Sequence, residues 1–121
     1  NREPSKLKLK DRVAGSVEVL VLSGRFDAFE VPAIIGWFDA HVSAAACRVV
    51  IDLAGVSFID SAAMACLLRG MKRCREQGGD LYLSHLQQPV TIIFELTRLD
   101  KAFNIYPSEA DAVEALMVAK P

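Results

Sequence analysis

Hydrophobic residues change their spacing several times along the chain, and each change predicts a new element. Leu7 and Leu9 alternate with lysines over 6–13, and a second apolar run covers 17–22 after the turn Ala14-Gly15-Ser16. Alternation on both sides of a glycine-containing turn is typical of a β-hairpin. The sequence therefore predicts two antiparallel strands near its amino end.

The next segments alternate between helical and strand-like spacing. Apolar residues recur at intervals of three and four over 29–46, with Pro32 in the first turn, which predicts an amphipathic helix. Residues 48–53 form an apolar run that predicts a buried strand. Ser61 is expected to be the N-cap of a helix that ends at Gly78-Gly79.

The same pattern continues to the carboxyl end of the chain. It predicts a strand at 81–83, a helix at 89–99 with Leu96 or Thr97 facing inward, a strand at 103–106, and a helix at 109–119 capped by Ser108. Strands that alternate with helices of this length need crossover connections and therefore pair in parallel. We predict an α/β fold, a mixed and mainly parallel sheet that opens with an antiparallel hairpin and is covered by about four helices.

Composition narrows the range of functions. The 121 residues are 52% hydrophobic with a formal net charge of -1, which predicts a single domain over 1–121 with 1–5 flexible, and provides no basic surface for nucleic acid. No run approaches the about 18 to 20 apolar residues of a membrane span, so direct membrane insertion is not expected. Three cysteines without CxxC spacing, Cys47, Cys66 and Cys74, suit a reducing compartment such as the cytoplasm.

Ser61 is the most promising residue for chemistry, since it follows a buried strand and opens a helix. From the residues alone, a helix-capping role is the simpler interpretation, and Asp60 is expected to accept hydrogen bonds from turn amides. A triad of Ser61, His85 and Asp27 can be written, but there is no Gly-x-Ser-x-Gly motif. There is no Gly-x-Gly-x-x-Gly or P-loop motif for a nucleotide either, so we expect no enzyme activity, no cofactor and no small-molecule ligand. Neither His41 nor His85 has metal-ligand spacing.

The order of elements and several short motifs resemble the STAS domain of anti-sigma factor antagonists and sulfate transporter tails. The motifs lie at 22–27, 50–53, 56–61, 78–81, 103–106 and 108–112. Leu99, shortly before the fifth predicted strand, belongs to the same pattern. In the antagonist family, the serine after the strand-terminal aspartate is the phosphorylation site, which corresponds to Ser61. The resemblance implies binding to an anti-sigma factor that is also a serine kinase, with a serine phosphatase as a second partner.

The resemblance also implies where the partner binds. The expected contacts are the segment around 25–29 and the exposed side of the helix after Ser61, namely Arg25, Asp27, Phe29, Asp60, Ser61, Ala62, Met64, Ala65 and Leu68. Met64 and Leu68 form a second apolar stripe that either faces a partner or packs on a neighbouring helix. The family usually has Ser or Thr and then Gly-Leu-Gly after its serine, where this chain has Ala62 to Ala65.

Two other interpretations remain at this stage. The chain could be a non-switching STAS subunit of a transporter or of a larger signalling complex, or, as a weaker third hypothesis, a small hydrolase. The identity of the partner distinguishes the first two, and a substrate screen tests the third.

Overall fold

The computed structural model describes residues 6–42 and 47–119. The strands are β1 (Lys8–Ala14), β2 (Val17–Phe26), β3 (Arg48–Ile59), β4 (Asp80–Ser84) and β5 (Ile105–Tyr106), and the helices are α1 (Val31–His41), α2 (Ser61–Glu76), α3 (Gln88–Leu96) and α4 (Glu109–Val118). Two short 3-10 helices lie at Ala28–Glu30 and Leu99–Lys101. The segment 1–5, expected to be flexible, lies outside the described residues. So do positions 43–46, the last part of the helix predicted over 29–46.

The five strands form one sheet in the order β1-β2-β3-β4-β5. β1 and β2 are antiparallel, and each later neighbour pairs in parallel. The predicted fold class is therefore confirmed. Parallel neighbours are joined by helical crossovers, because a chain that must re-enter the sheet in the same direction has to return along one of its faces.

The two faces of the sheet are covered unequally. Side chains of α1, α2 and α3, including Phe38, Leu67 and Phe94, form the larger core with Ile51 of β3. On the other face, Leu116 of α4 belongs to a smaller core together with residues of β2, β3 and β4. β3 lies between the two layers, which explains why most of its positions are buried. Among the described residues, no helix is long and apolar enough to cross a membrane.

Several predicted boundaries were wrong. β2 and β3 were predicted to end at 22 and 53 but continue to Phe26 and Ile59. The two strands pair with each other up to these last residues, although the register shifts twice along the pair. α1 begins at Val31 after a 3-10 turn, and α3 ends at Leu96. Leu96 or Thr97 was predicted to face inward, but both are exposed, Leu96 by 78%, since the core side of α3 is formed by Val90 and Phe94.

The contact between α1 and α2 depends on a glycine. A Cβ atom added to Gly70 of α2 would lie 2.2 Å from the ring of Phe38, which is 1% exposed. The missing side chain lets the aromatic ring lie against the backbone of α2. Gly36 of α1, in contrast, has no other atom within 4 Å of such a Cβ.

Candidate functional site

The candidate site lies where β2 and β3 end side by side. Phe26 and Ile59 are the last paired residues of these strands, and the Asp60 amide donates to the carbonyl oxygen of Phe26 at 3.3 Å. Two segments therefore leave the same end of the sheet together. One is the 3-10 turn at 28–30 and the other is the first turn of α2, so the two parts of the chain predicted to bind a partner are neighbours.

Asp60, rather than Ser61, is the N-cap of α2. Its backbone is extended, with φ -109 and ψ 179, and its Oδ1 accepts a hydrogen bond from the Ala63 amide at 2.9 Å. The prediction for Ser61 was wrong by one residue, because aspartate and serine cap about equally well and the first of the two occupies the cap. Ser61 is instead the first helical residue, and it is exposed.

The second oxygen of Asp60 connects the helix to the neighbouring segment. Oδ2 accepts a hydrogen bond from the Ala28 amide at 2.9 Å. The expected role of Asp60 as an acceptor for turn amides is confirmed. One carboxylate thus holds the start of α2 and the 3-10 turn in a defined relative position.

Asp27 organises the 3-10 turn in the same way. Its Oδ1 accepts from the Phe29 amide at 3.0 Å, and its Oδ2 accepts from Nε of Arg25 at 3.1 Å. The Arg25 guanidinium also lies 3.7 Å from the centre of the Phe58 ring. Because the Arg25 side chain is already held over an aromatic ring and against a carboxylate, it would lose little conformational freedom when a partner binds. Phe58 was not predicted, because its contact with Arg25 follows from the register of β2 and β3.

The predicted partner-binding residues differ widely in exposure. Phe29 is 91% exposed, a large value for a phenylalanine, and Ala65 is exposed as well. Ala62 and Leu68 are half-buried. Arg25 and Ser61 are exposed as well, so the predicted partner surface has both exposed and half-buried positions.

Met64 does not belong to that surface. It is 6% exposed and lies in the larger core, whereas Leu68 is partly buried against the same core. α2 contacts α1 and the 3-10 turn as well as the sheet, so its buried arc is wider than one apolar stripe. Met64 was predicted either to face a partner or to pack on a neighbouring helix, and its burial shows that it packs within the protein.

The other titratable candidates have structural contacts. His41 stacks on Trp37 with ring centres 4.2 Å apart, and Nε1 of Trp37 donates to Asp11. Within 6–42 and 47–119, no three His, Cys, Asp or Glu side chains are grouped as metal ligands. Burial raises the pKa of the Cys66 thiol, which disfavours the reactive thiolate.

A second polar cluster lies on the α4 side of the sheet. Asp52 is 8% exposed, and its Oδ1 accepts a hydrogen bond from the Ala54 amide of the same strand, β3, at 2.8 Å. Glu109, at the start of α4, forms an ion pair with Arg12. Burial raises the pKa of Glu109, and contact with the Asp52 carboxyl raises it further, although Arg12 acts in the opposite direction.

The fold and its strand-to-helix junction define a small α/β domain with a mixed sheet and an exposed serine at the start of a helix. The chain matches the STAS domain family over residues 8–112, and it belongs to that family.

Individual relatives extend this finding. An anti-sigma F factor antagonist of Paenibacillus polymyxa is 25% identical over 103 residues, which cover 84% of this chain and 88% of that protein. The crystal structure of an anti-sigma factor antagonist from Mycobacterium paratuberculosis is similar with a TM-score of 0.80 at 26% identity, covering 93% of this chain and 95% of that chain. The murine Solute Carrier 26 family member A9 anion transporter shares the fold, with a TM-score of 0.75 at 13% identity over 97% of this chain and 23% of that chain.

Proposed function

We propose that this protein is an anti-sigma factor antagonist that acts as a phosphorylation-controlled partner switch. In its unmodified form it binds an anti-sigma factor with serine kinase activity. Phosphorylation of Ser61 ends the binding, and a serine phosphatase restores it. The observation that carries the proposal is the exposed position of Ser61 at the first residue of α2, next to the 3-10 turn that carries the exposed Phe29.

Electrostatics explain how one phosphate can act without unfolding the protein. A phosphoserine adds about -1.5 to -2 charges at neutral pH. At the first turn of a helix, the backbone amides and the helix dipole stabilise an anion by about 0.3 to 1 kcal/mol. Ser61 occupies this position in α2. We therefore expect the fold to persist when Ser61 is phosphorylated.

A partner surface would respond differently to the same charge. Asp60 directly precedes Ser61, and Asp27 precedes Ala28, whose amide donates to Asp60, so two carboxylates already lie at this end of the sheet. A further anion that faces apolar groups or carboxylates of a partner costs several kcal/mol. Each 1.4 kcal/mol corresponds to about a tenfold change in affinity, so a loss of about a hundredfold is expected.

Arg25 and Phe29 supply the binding energy in this proposal. Arginine and large aromatic residues contribute most to interface energies when they are buried by a partner. The Arg25 side chain is 54% exposed and held by Asp27 and Phe58, and Phe29 is 91% exposed. Ala63 and Ala65 stand where the family usually has glycine, which favours a rigid first turn of α2 by up to about 1 kcal/mol each.

The experiment combines phosphorylation with binding. The chain is incubated with its anti-sigma factor and ATP, and phosphate is located by mass spectrometry, with Ser61→Ala as the unlabelled control. Binding is then measured by calorimetry for Ser61→Asp and for Ser16→Asp, which places the same charge on an exposed serine in the hairpin turn at the opposite end of the sheet. We expect a loss of about a hundredfold for Ser61→Asp only. No phosphate on Ser61, together with equal affinities of the two variants, would refute the switch.

A second candidate function is a non-switching STAS subunit attached to a transporter or a larger signalling assembly. Similarity to the fold of an anion transporter favours this alternative. It predicts that Ser61→Asp binds its partner as tightly as the unmodified chain does. The same calorimetric comparison therefore separates the two candidates.

A further inference from the structure

A cleft of about 290 Å3 lies at the opposite end of the sheet from Ser61. It is formed where β3 and β4 begin, between the turn that follows α2 and the last residues of α4. Its charged lining is Arg48, Arg75 and Asp80, and its less polar lining is Tyr82, Leu116 and Ala119. No motif in the sequence indicated a ligand here, because these residues come from three separate parts of the chain.

The charge of the lining favours an anion. Two guanidinium groups face one carboxylate, and Nε of Arg75 donates to Oδ1 of Asp80 at 2.9 Å. Nη2 of Arg48 donates to the Ala119 carbonyl at 3.2 Å. A guanidinium has five N–H donors, so these contacts fix both side chains and leave further donors for a ligand. Planar arginine donors match the oxygens of carboxylates and phosphates.

The remaining lining favours a ligand with an apolar part. Tyr82 is 8% exposed and stacks on Tyr106 with ring centres 5.3 Å apart, so its ring has a fixed position. Leu116 is 1% exposed and belongs to the core beneath. The cleft volume is near the lower limit of about 300 Å3 for small-molecule sites, which favours a compact ligand over a peptide.

We propose that this cleft binds a small organic oxyanion. Arg48 and Arg75 hold its phosphate or carboxylate group, and a flat apolar part rests against Tyr82 and Ala119. The site is separate from Ser61, and its function does not depend on the partner switch.

Phenyl phosphate is a suitable probe, because it combines an oxyanion with a small ring. Its binding to the full chain is measured by calorimetry and by amide chemical shifts, alongside inorganic phosphate, benzoate and phenol. We expect saturable binding of phenyl phosphate or benzoate with a Kd of about 1 mM or lower. Inorganic phosphate and phenol should each bind at least about tenfold more weakly, since each lacks one of the two recognised parts.

Arginine variants test the assignment of the site. Arg75→Gln and Arg48→Gln should each weaken binding of the probe by about tenfold or more. Arg69→Gln is the matched control, because Arg69 is an exposed arginine of the same helix as Arg75 and its loss changes the net charge equally. Thermal unfolding of each variant confirms that it is folded.

Three results would overturn the proposal. One is the absence of saturable binding of phenyl phosphate and benzoate up to about 10 mM. Another is equal weakening by Arg69→Gln, and the third is phenol binding as tightly as phenyl phosphate. Since Ser61→Asp should leave probe binding unchanged, failure here and failure of the partner switch are distinguishable.

Discussion

At the scale of single residues, Asp60 has the largest structural role in the candidate site. Its two oxygens accept hydrogen bonds from Ala63 and Ala28, which belong to different segments. The sequence correctly indicated an acceptor at this position. It did not indicate the contact with Ala28, because that contact joins residues 32 positions apart and exists only when β2 and β3 end together.

Removal of this carboxylate should destabilise the protein. Asp60→Ala loses an N-cap, which costs about 1 kcal/mol, and a further backbone hydrogen bond of about 1 kcal/mol. We expect a decrease of about 2 kcal/mol in the free energy of unfolding, measured with urea. Asp39→Ala is the control, because Asp39 forms an exposed ion pair with Arg73 and such pairs contribute about 0 to 1 kcal/mol. Equal effects of the two substitutions would contradict the double role of Asp60.

At the scale of elements, α2 carries both the exposed serine and the widest contact with the core. Its inward face includes Ala63, Leu67, Gly70, Met71 and Cys74, all of which are buried, and the sequence pattern indicates this face. Helical spacing was sufficient for this, since those residues repeat at intervals of three and four. The burial of Met64 was not predictable, because it depends on how α1 and the 3-10 turn approach the side of α2.

Two glycines test the helix contacts directly. Gly36→Ala should raise the free energy of unfolding by about 0.5 to 1 kcal/mol, because the new methyl group meets no other atom and alanine favours the helix. Gly70→Ala adds the same methyl group, but it must displace the buried ring of Phe38, so we expect a decrease of about 1 to 3 kcal/mol. Urea unfolding of the matched pair measures both changes. If both substitutions raised the free energy of unfolding, helix propensity rather than packing would dominate at Gly70.

At the scale of the whole molecule, the polar cluster of Arg12, Asp52 and Glu109 links β1, β3 and α4. Contact with Asp52 and burial raise the pKa of Glu109 above its ordinary value of 4.5. The folded state therefore holds this proton more tightly than the unfolded state. Its contribution to stability is present at low pH and is lost as pH rises from about 4.5 through the raised pKa.

Glu109→Gln should remove this pH dependence, because the amide does not ionise and can still donate to Asp52. We expect the variant and the parent protein to have similar stabilities near pH 4, with the variant becoming relatively more stable as pH rises to 7. Urea midpoints across this range measure the difference. Glu114→Gln, an exposed position on the same helix, should show no such trend. A variant that becomes relatively less stable as pH rises would contradict the assignment.

The hydrophobic pattern by itself determined the order of the elements, the parallel pairing and most of the inward face of α2, because these depend on local spacing and on the need for crossovers. Only the tertiary structure decided that Asp60 caps α2, that Phe58 supports Arg25, that Met64 is buried, and that two distant arginines share a cleft. Each of these depends on strand register or on the approach of a neighbouring element. These contacts are made by residues far apart in the chain, so local sequence spacing cannot predict them.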